Sequence, residues 1–131
     1  MSRARAVCLS ADGRLVLSGG ADAEIRLWDV GTGRCLRTLI DAVDNVQALS
    51  MSTDGRFALS GGGDAALRLW DLATGECLRT LAGHTDRVTS VDLSADGRFA
   101  LSADMAATVR TWELDWELQV HDPAESGGAI R

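Results

Sequence analysis

A chain of 131 residues with 46% hydrophobic residues and no biased tract has enough apolar material to bury a core, which excludes a purely disordered linker. Its formal net charge is −6, all thirteen basic residues are arginine, and no basic stripe is interleaved with aromatics, so nucleic acid and anionic membrane surfaces are not expected partners. Cys8, Cys35 and Cys77 are too few and scattered for a disulfide framework, and with His84 and His121 they make no pair at metal-ligand spacing, so no metal and no cofactor are expected.

The N-terminal run "MSRARAVCLSADG" lacks an apolar stretch long enough for a signal peptide or membrane helix, and none follows later. A cytoplasmic protein is expected. From there the chain repeats itself. Trp28, Trp70 and Trp112 stand 42 residues apart, as do the Asp-Gly pairs at 12–13, 54–55 and 96–97. Within each unit, apolar residues alternate in runs of four to six broken by turn chemistry, the pattern of short strands.

In the second unit the strands read Val46–Met51, Arg56–Ser60, Ala66–Asp71 and Glu76–Leu81, here called a, b, c and d. The a/b connection "STDGR" carries Asp-Gly, in which both residues tolerate positive φ. The b/c connection contains Gly61, Gly62 and Gly63, which precede no helix and so read as turn residues, not a phosphate cradle. Such a meander has two apolar faces, because Leu67 and Leu69 point one way and Trp70 the other. Radial stacking of like sheets hides both faces at once, which predicts an all-β fold of three four-stranded antiparallel blades.

The runs "LRLWDLATGECLRTL" and "GHTDRVTSVDLSADGRFALSA", with the Gly-His pair, the Trp-Asp pairs and the spacing near forty, resemble WD40 repeats over about residues 4–121. The tail "WELDWELQVHDPAE" is similar to the segment that closes some bacterial arrays of this family. The resemblance divides the chain into a first blade at 4–39, a second at 40–81, a third at 82–121 with a weak last strand "ELQVH", and a flexible acidic tail at 122–131. It also implies a hydrogen-bonded tetrad in each blade: the His of Gly-His, a Ser or Thr on strand b, an Asp in the b/c turn and the Trp of strand c. The first unit supplies Ser18, Asp22 and Trp28, and the second Ser60, Asp64 and Trp70, with Ala42 at the His position. The third supplies His84, Ser102 and Trp112, with Ala106 at the Asp position and Asp104 two residues early, so no unit is expected to keep all four.

The tetrad's role is to satisfy buried polar atoms. A nucleophilic triad is not expected, since the serines lie on strands with no elbow or following helix to form an oxyanion hole. Cys35 and Cys77 read as small apolar residues of strand d, His121 as a solvated histidine, and the carboxylates of Asp41/Asp44 and Glu113/Asp115/Glu117 as solvated loop and tail groups.

Propellers have about four to eight blades, and three units leave apolar faces uncovered at Ile25/Leu27/Trp28 and Val109/Trp112/Leu114. Three explanations fit: part of a longer propeller, a ring completed by other copies, or a decayed remnant. The resemblance implies a non-enzymatic scaffold that binds proteins, with self-assembly as the alternative and catalysis a distant third. In a propeller the d/a and b/c loops share one rim, which gathers Asp44, Asn45, Asp86, Arg87 and Met105 into a candidate interaction face, where Ala21 and Gly63 are the small equivalents of Met105.

Overall fold

The computed structural model describes residues 4–20, 24–40 and 45–114. These form eleven strands: β1 (Ala4–Leu9), β2 (Leu15–Gly20), β3 (Glu24–Asp29), β4 (Cys35–Ile40), β5 (Val46–Met51), β6 (Phe57–Gly62), β7 (Leu67–Asp71), β8 (Glu76–Leu81), β9 (Val88–Leu93), β10 (Phe99–Asp104) and β11 (Val109–Glu113). They assemble as three antiparallel meanders, β1-β2-β3-β4, β5-β6-β7-β8 and β9-β10-β11. The strand expected at 117–121 and the tail at 122–131 lie outside the described residues. Registers repeat at 42-residue steps: Val16 pairs with Trp28, Ala58 with Trp70 and Ala100 with Trp112.

Strand ends follow local chemistry. In each a/b hairpin a serine accepts from the backbone N–H five residues on and bonds the aspartate two residues on, as Ser10/Asp12, Ser52/Asp54 and Ser94/Asp96 do. The glycine that follows takes positive φ, 75°, 72° and 75° at Gly13, Gly55 and Gly97, while the aspartates do not. Gly55 N–H closes the turn on Ser52 C=O at 2.9 Å. The Asp-Gly pair is therefore part of a longer loop ending in a left-handed glycine, not a two-residue turn with both φ values positive, because the serine and aspartate side chains saturate the loop's own N–H groups.

The sheets stack in chain order, and strand alternation decides what lies between them. One core unites Leu17, Ile25, Leu27 and Leu39 of the first blade with Met51, Ala58, Trp70 and Leu72 of the second. The other unites Leu59, Leu67, Leu69 and Leu81 of the second blade with Val88, Leu93, Trp112 and Leu114 of the third. Each sheet thus turns its Trp face toward the preceding blade and its Leu face toward the following one. This corrects the expected open faces: Ile25 and Leu27 are buried against the second blade, leaving Trp28 on the outer side, and Trp112 and Leu114 are buried against it too, leaving Val109 outside. Ile25 and Leu27 differ in strand parity from Trp28, as Val109 does from Trp112 and Leu114, so each trio divides between opposite faces.

Glycine sets the closeness of this stacking. A Cβ at Gly19 would stand 2.8 Å from Val46 Cγ1, and one at Gly61 2.5 Å from Val88 Cγ1. Polar bonds also cross the blade boundaries. Arg37 donates to the carbonyls of Ala73 and Thr74 at 2.8 and 3.1 Å, and Leu93 N–H donates to Ser50 Oγ at 3.0 Å.

Candidate functional site

Two polar constellations occupy one rim of the stack, where d/a loops meet b/c turns. The first is buried. Trp112 Nε1–H donates to Ser102 Oγ at 2.9 Å, Ser102 Oγ lies 2.5 Å from His84 Nε2, and His84 Nδ1 lies 2.8 Å from Asp104 Oδ2. A consistent proton assignment runs Trp N–H to Ser oxygen, Ser O–H to His Nε2, and His Nδ1–H to the carboxylate. Asp104 Oδ1 is occupied as well, accepting from the N–H groups of Ala106 and Thr108 at 3.0 Å each. The Thr108 N–H, working against burial and helped by His84, holds the Asp104 carboxyl below the ordinary carboxylate range.

All four tetrad members are therefore present in the third blade, against the expectation that no unit keeps them. The physical reason lies in the turn. The N–H of residue 66 in the second blade and that of residue 108 in the third hold equivalent positions. Asp64 Oδ1 takes the first at 3.1 Å and Asp104 Oδ1 the second, from a position two residues earlier. Counting in fixed steps of 42 residues hid this substitution. In the second blade Trp70 Nε1–H still donates to Ser60 Oγ at 2.9 Å, whereas Asp64 points to the rim and pairs with Arg68 at 2.8 Å. In the first blade Trp28 Nε1–H donates to Ser18 Oγ at 2.9 Å, and Asp22 lies outside the described residues.

The tetrad is buried and saturated: His84 and Asp104 side chains have 0% exposure, and Ser102 Oγ is occupied by two partners. Its geometric effect is to tie the d/a loop to the b/c turn.

The second constellation is exposed. Met105 N–H donates to Arg87 C=O at 3.0 Å, and in the preceding blade Gly63 N–H donates to Asn45 C=O at 3.1 Å, an equivalent bond one repeat earlier. Arg87 N–H is held by Asp86 Oδ1 at 2.7 Å. Asp86, Arg87 and Met105 are thus brought together on the third blade, with Met105 exposed, and Asn45 is half-buried at the equivalent place on the second. Asp44 lies outside the described residues. Both b/c turns pass through a left-handed alanine, Ala65 at φ 68° and Ala107 at φ 66°. Cys35 and Cys77, read as apolar strand residues, are exposed thiols outside any disulfide at the starts of β4 and β8, donating to the carbonyls of Arg37 and Arg79.

Antiparallel sheets stacked Trp face on Leu face, each pinned by a Trp–Ser bond, define an open sector of a β-propeller. The sequence pattern of the family described as WD domain, G-beta repeat matches residues 2–29, 33–71 and 75–113, and the chain belongs to that family. It is also similar to Autophagy-related protein 16 of Arabidopsis thaliana, 51% identical over 35 residues, which is 27% of this chain and 7% of that protein. A second relative is the "Probable E3 ubiquitin ligase complex SCF subunit scon-2" of Neurospora crassa, 52% identical over 33 residues, 25% of this chain and 5% of that protein. The matched stretches span less than a tenth of either relative.

Proposed function

We propose that the chain is a non-catalytic scaffold that docks a protein partner on the rim formed by its d/a loops and b/c turns. Asn45, Asp86, Arg87 and Met105 carry the contact. The single observation behind this reading is the backbone bond from Met105 to Arg87, which holds an exposed apolar side chain, 62% accessible, beside a cation and a carboxylate. A small apolar anchor rimmed by charge is what a protein interface requires. WD repeats serve as protein-interaction scaffolds, and one matched relative is by name a subunit of a complex. The partner is a protein, and the three unbridged cysteines suit a reducing, cytoplasmic compartment.

The test is affinity capture with the wild-type chain, Arg87→Glu, Met105→Ser and the two combined. The combined variant folds normally and loses the partners that the wild type retains. If both single variants and the combination keep every partner while still folded, the rim is not the docking face.

A further inference from the structure

The open Trp face of the first blade and the open Leu face of the third bear on what completes the stack. On the first blade Val7, Leu9 and Val30 are 70%, 61% and 50% exposed, whereas their register equivalents in the second blade, Leu49, Met51 and Leu72, are 9%, 9% and 4% exposed under the blade before them. On the third blade Leu101 and Val109 are 47% and 67% exposed, whereas Leu59 and Leu67 are fully buried under the blade that follows. Each end of the sector therefore presents half of an interface that the molecule already makes twice internally.

We propose that the occupant of both faces is a second copy of this chain, docked head to tail so that the Leu face of one third blade packs on the Trp face of the other copy's first blade. This goes beyond the scaffold reading and does not depend on the rim. Side-chain size at the closest approach favours it. Inside the molecule a glycine on the Leu face meets a valine on the next Trp face, Gly19 against Val46 and Gly61 against Val88. The third blade has Ala103 at the glycine position, and a methyl group there would collide with a valine as one on Gly61 would. The first blade has Ala4 where the other two have Val46 and Val88, as the strand registers show. A larger residue at one open end is matched by a smaller one at the other, as expected if the two ends meet.

Blade number agrees. The three matched repeats of one copy and the three of another make six, within the range of about four to eight blades. A heterologous contact that closes after two copies covers both of the open faces among the described residues.

The experiment is light scattering on the 131-residue chain, with circular dichroism as the fold check. The expected wild-type species has twice the 13.9 kDa chain mass. Val7→Arg on the Trp face and Leu101→Arg on the Leu face each give a monomer. An equimolar mixture of the two returns to a dimer, because one intact Trp face and one intact Leu face remain. Ala103→Leu weakens the dimer at least tenfold without lowering the monomer's helix-free dichroism signal. Should an arginine variant misfold, Val30→Arg or Val109→Arg replaces it. A wild-type monomer at all concentrations overturns the proposal and leaves the faces to other blades. A dimer that only one of the two variants dissociates overturns head-to-tail packing in favour of like-on-like pairing, and a mixture that stays monomeric overturns it outright.

Discussion

Closing the space between the second and third blades at Gly61 tests the packing most locally. Gly61→Ala puts a methyl carbon 2.5 Å from Val88 Cγ1, 3.0 Å from Val88 Cβ and 3.2 Å from Val91 Cγ1, all inside van der Waals contact. Overpacking of this kind costs about 1–3 kcal/mol, and the reduced freedom of the unfolded chain returns about 0.5–1 kcal/mol. A net loss toward the upper end of the resulting range of about 0–2.5 kcal/mol is expected, because the approach to Val88 Cγ1 is as short as 2.5 Å. Val88→Ala removes two methyl groups worth about 0.8 kcal/mol each and opens a cavity, for a loss of about 2–3 kcal/mol. Together the two changes place an alanine against an alanine, so the double variant is less destabilised than the sum of the singles by about 1–2 kcal/mol. Urea unfolding of the four proteins gives this coupling directly. Additivity to within about 0.5 kcal/mol, or a neutral Gly61→Ala, refutes the close approach.

The Trp–Ser bonds should differ in worth. Ser102→Ala strands both Trp112 Nε1 and His84 Nε2 and costs about 2–4 kcal/mol, Ser60→Ala strands only Trp70 Nε1 and costs about 1–3, and Ser18→Ala costs less than about 1 because half-exposed Trp28 can turn to water; chemical denaturation that ranks them otherwise contradicts the burial pattern. Ala65→Gly and Ala107→Gly relieve left-handed backbone and should raise the thermal midpoint, since the strain of about 1–2 kcal/mol exceeds the added chain entropy of about 0.5–1; a lower midpoint counts against the turn geometry. The Asp12 and Asp54 carboxyls are held low chiefly by the Ser10 and Ser52 hydroxyls, Asp96 by the Arg98 N–H and then Ser94, and Asp104 by the Thr108 N–H. Depressed folded values mean stability that is present above the unfolded carboxylate pKa of about 3.9 and lost as pH falls below it. Urea midpoints should therefore hold above about pH 5 and drop below about pH 4, and a midpoint unchanged in acid argues against these bonds.

Much of the fold was legible because one repeat reports on the next. Strands β5 and β8 run over Val46–Met51 and Glu76–Leu81, as their alternation and flanking turns indicate, while β6 and β7 begin one residue later than expected and β6 extends two residues further, to Gly62. Faces were less legible. Alternation tells which residues share a side, but not which neighbour covers it, and Ile25 and Trp28 were grouped although three positions apart on one strand. Asp104, two residues early in the sequence, fills the tetrad's Asp place because a carboxylate can cap the same N–H from two different backbone positions, a freedom that a fixed 42-residue step does not contain. The pairing of Met105 with Arg87 runs through backbone atoms and leaves no mark on residue identity. Arg37 was likewise invisible, since its acceptors are carbonyls 36 and 37 residues away.

That each Trp face is covered by the preceding blade, leaving the first uncovered, underlies both the packing and the open faces. Hydrogen exchange of the indole N–H groups, followed by NMR on protein dilute enough to be monomeric, tests it most directly. Trp70 and Trp112, each 2% exposed, should exchange slowly, and half-buried Trp28 much faster despite its equivalent bond to serine. Trp28 exchanging as slowly as the other two in the monomer would contradict it.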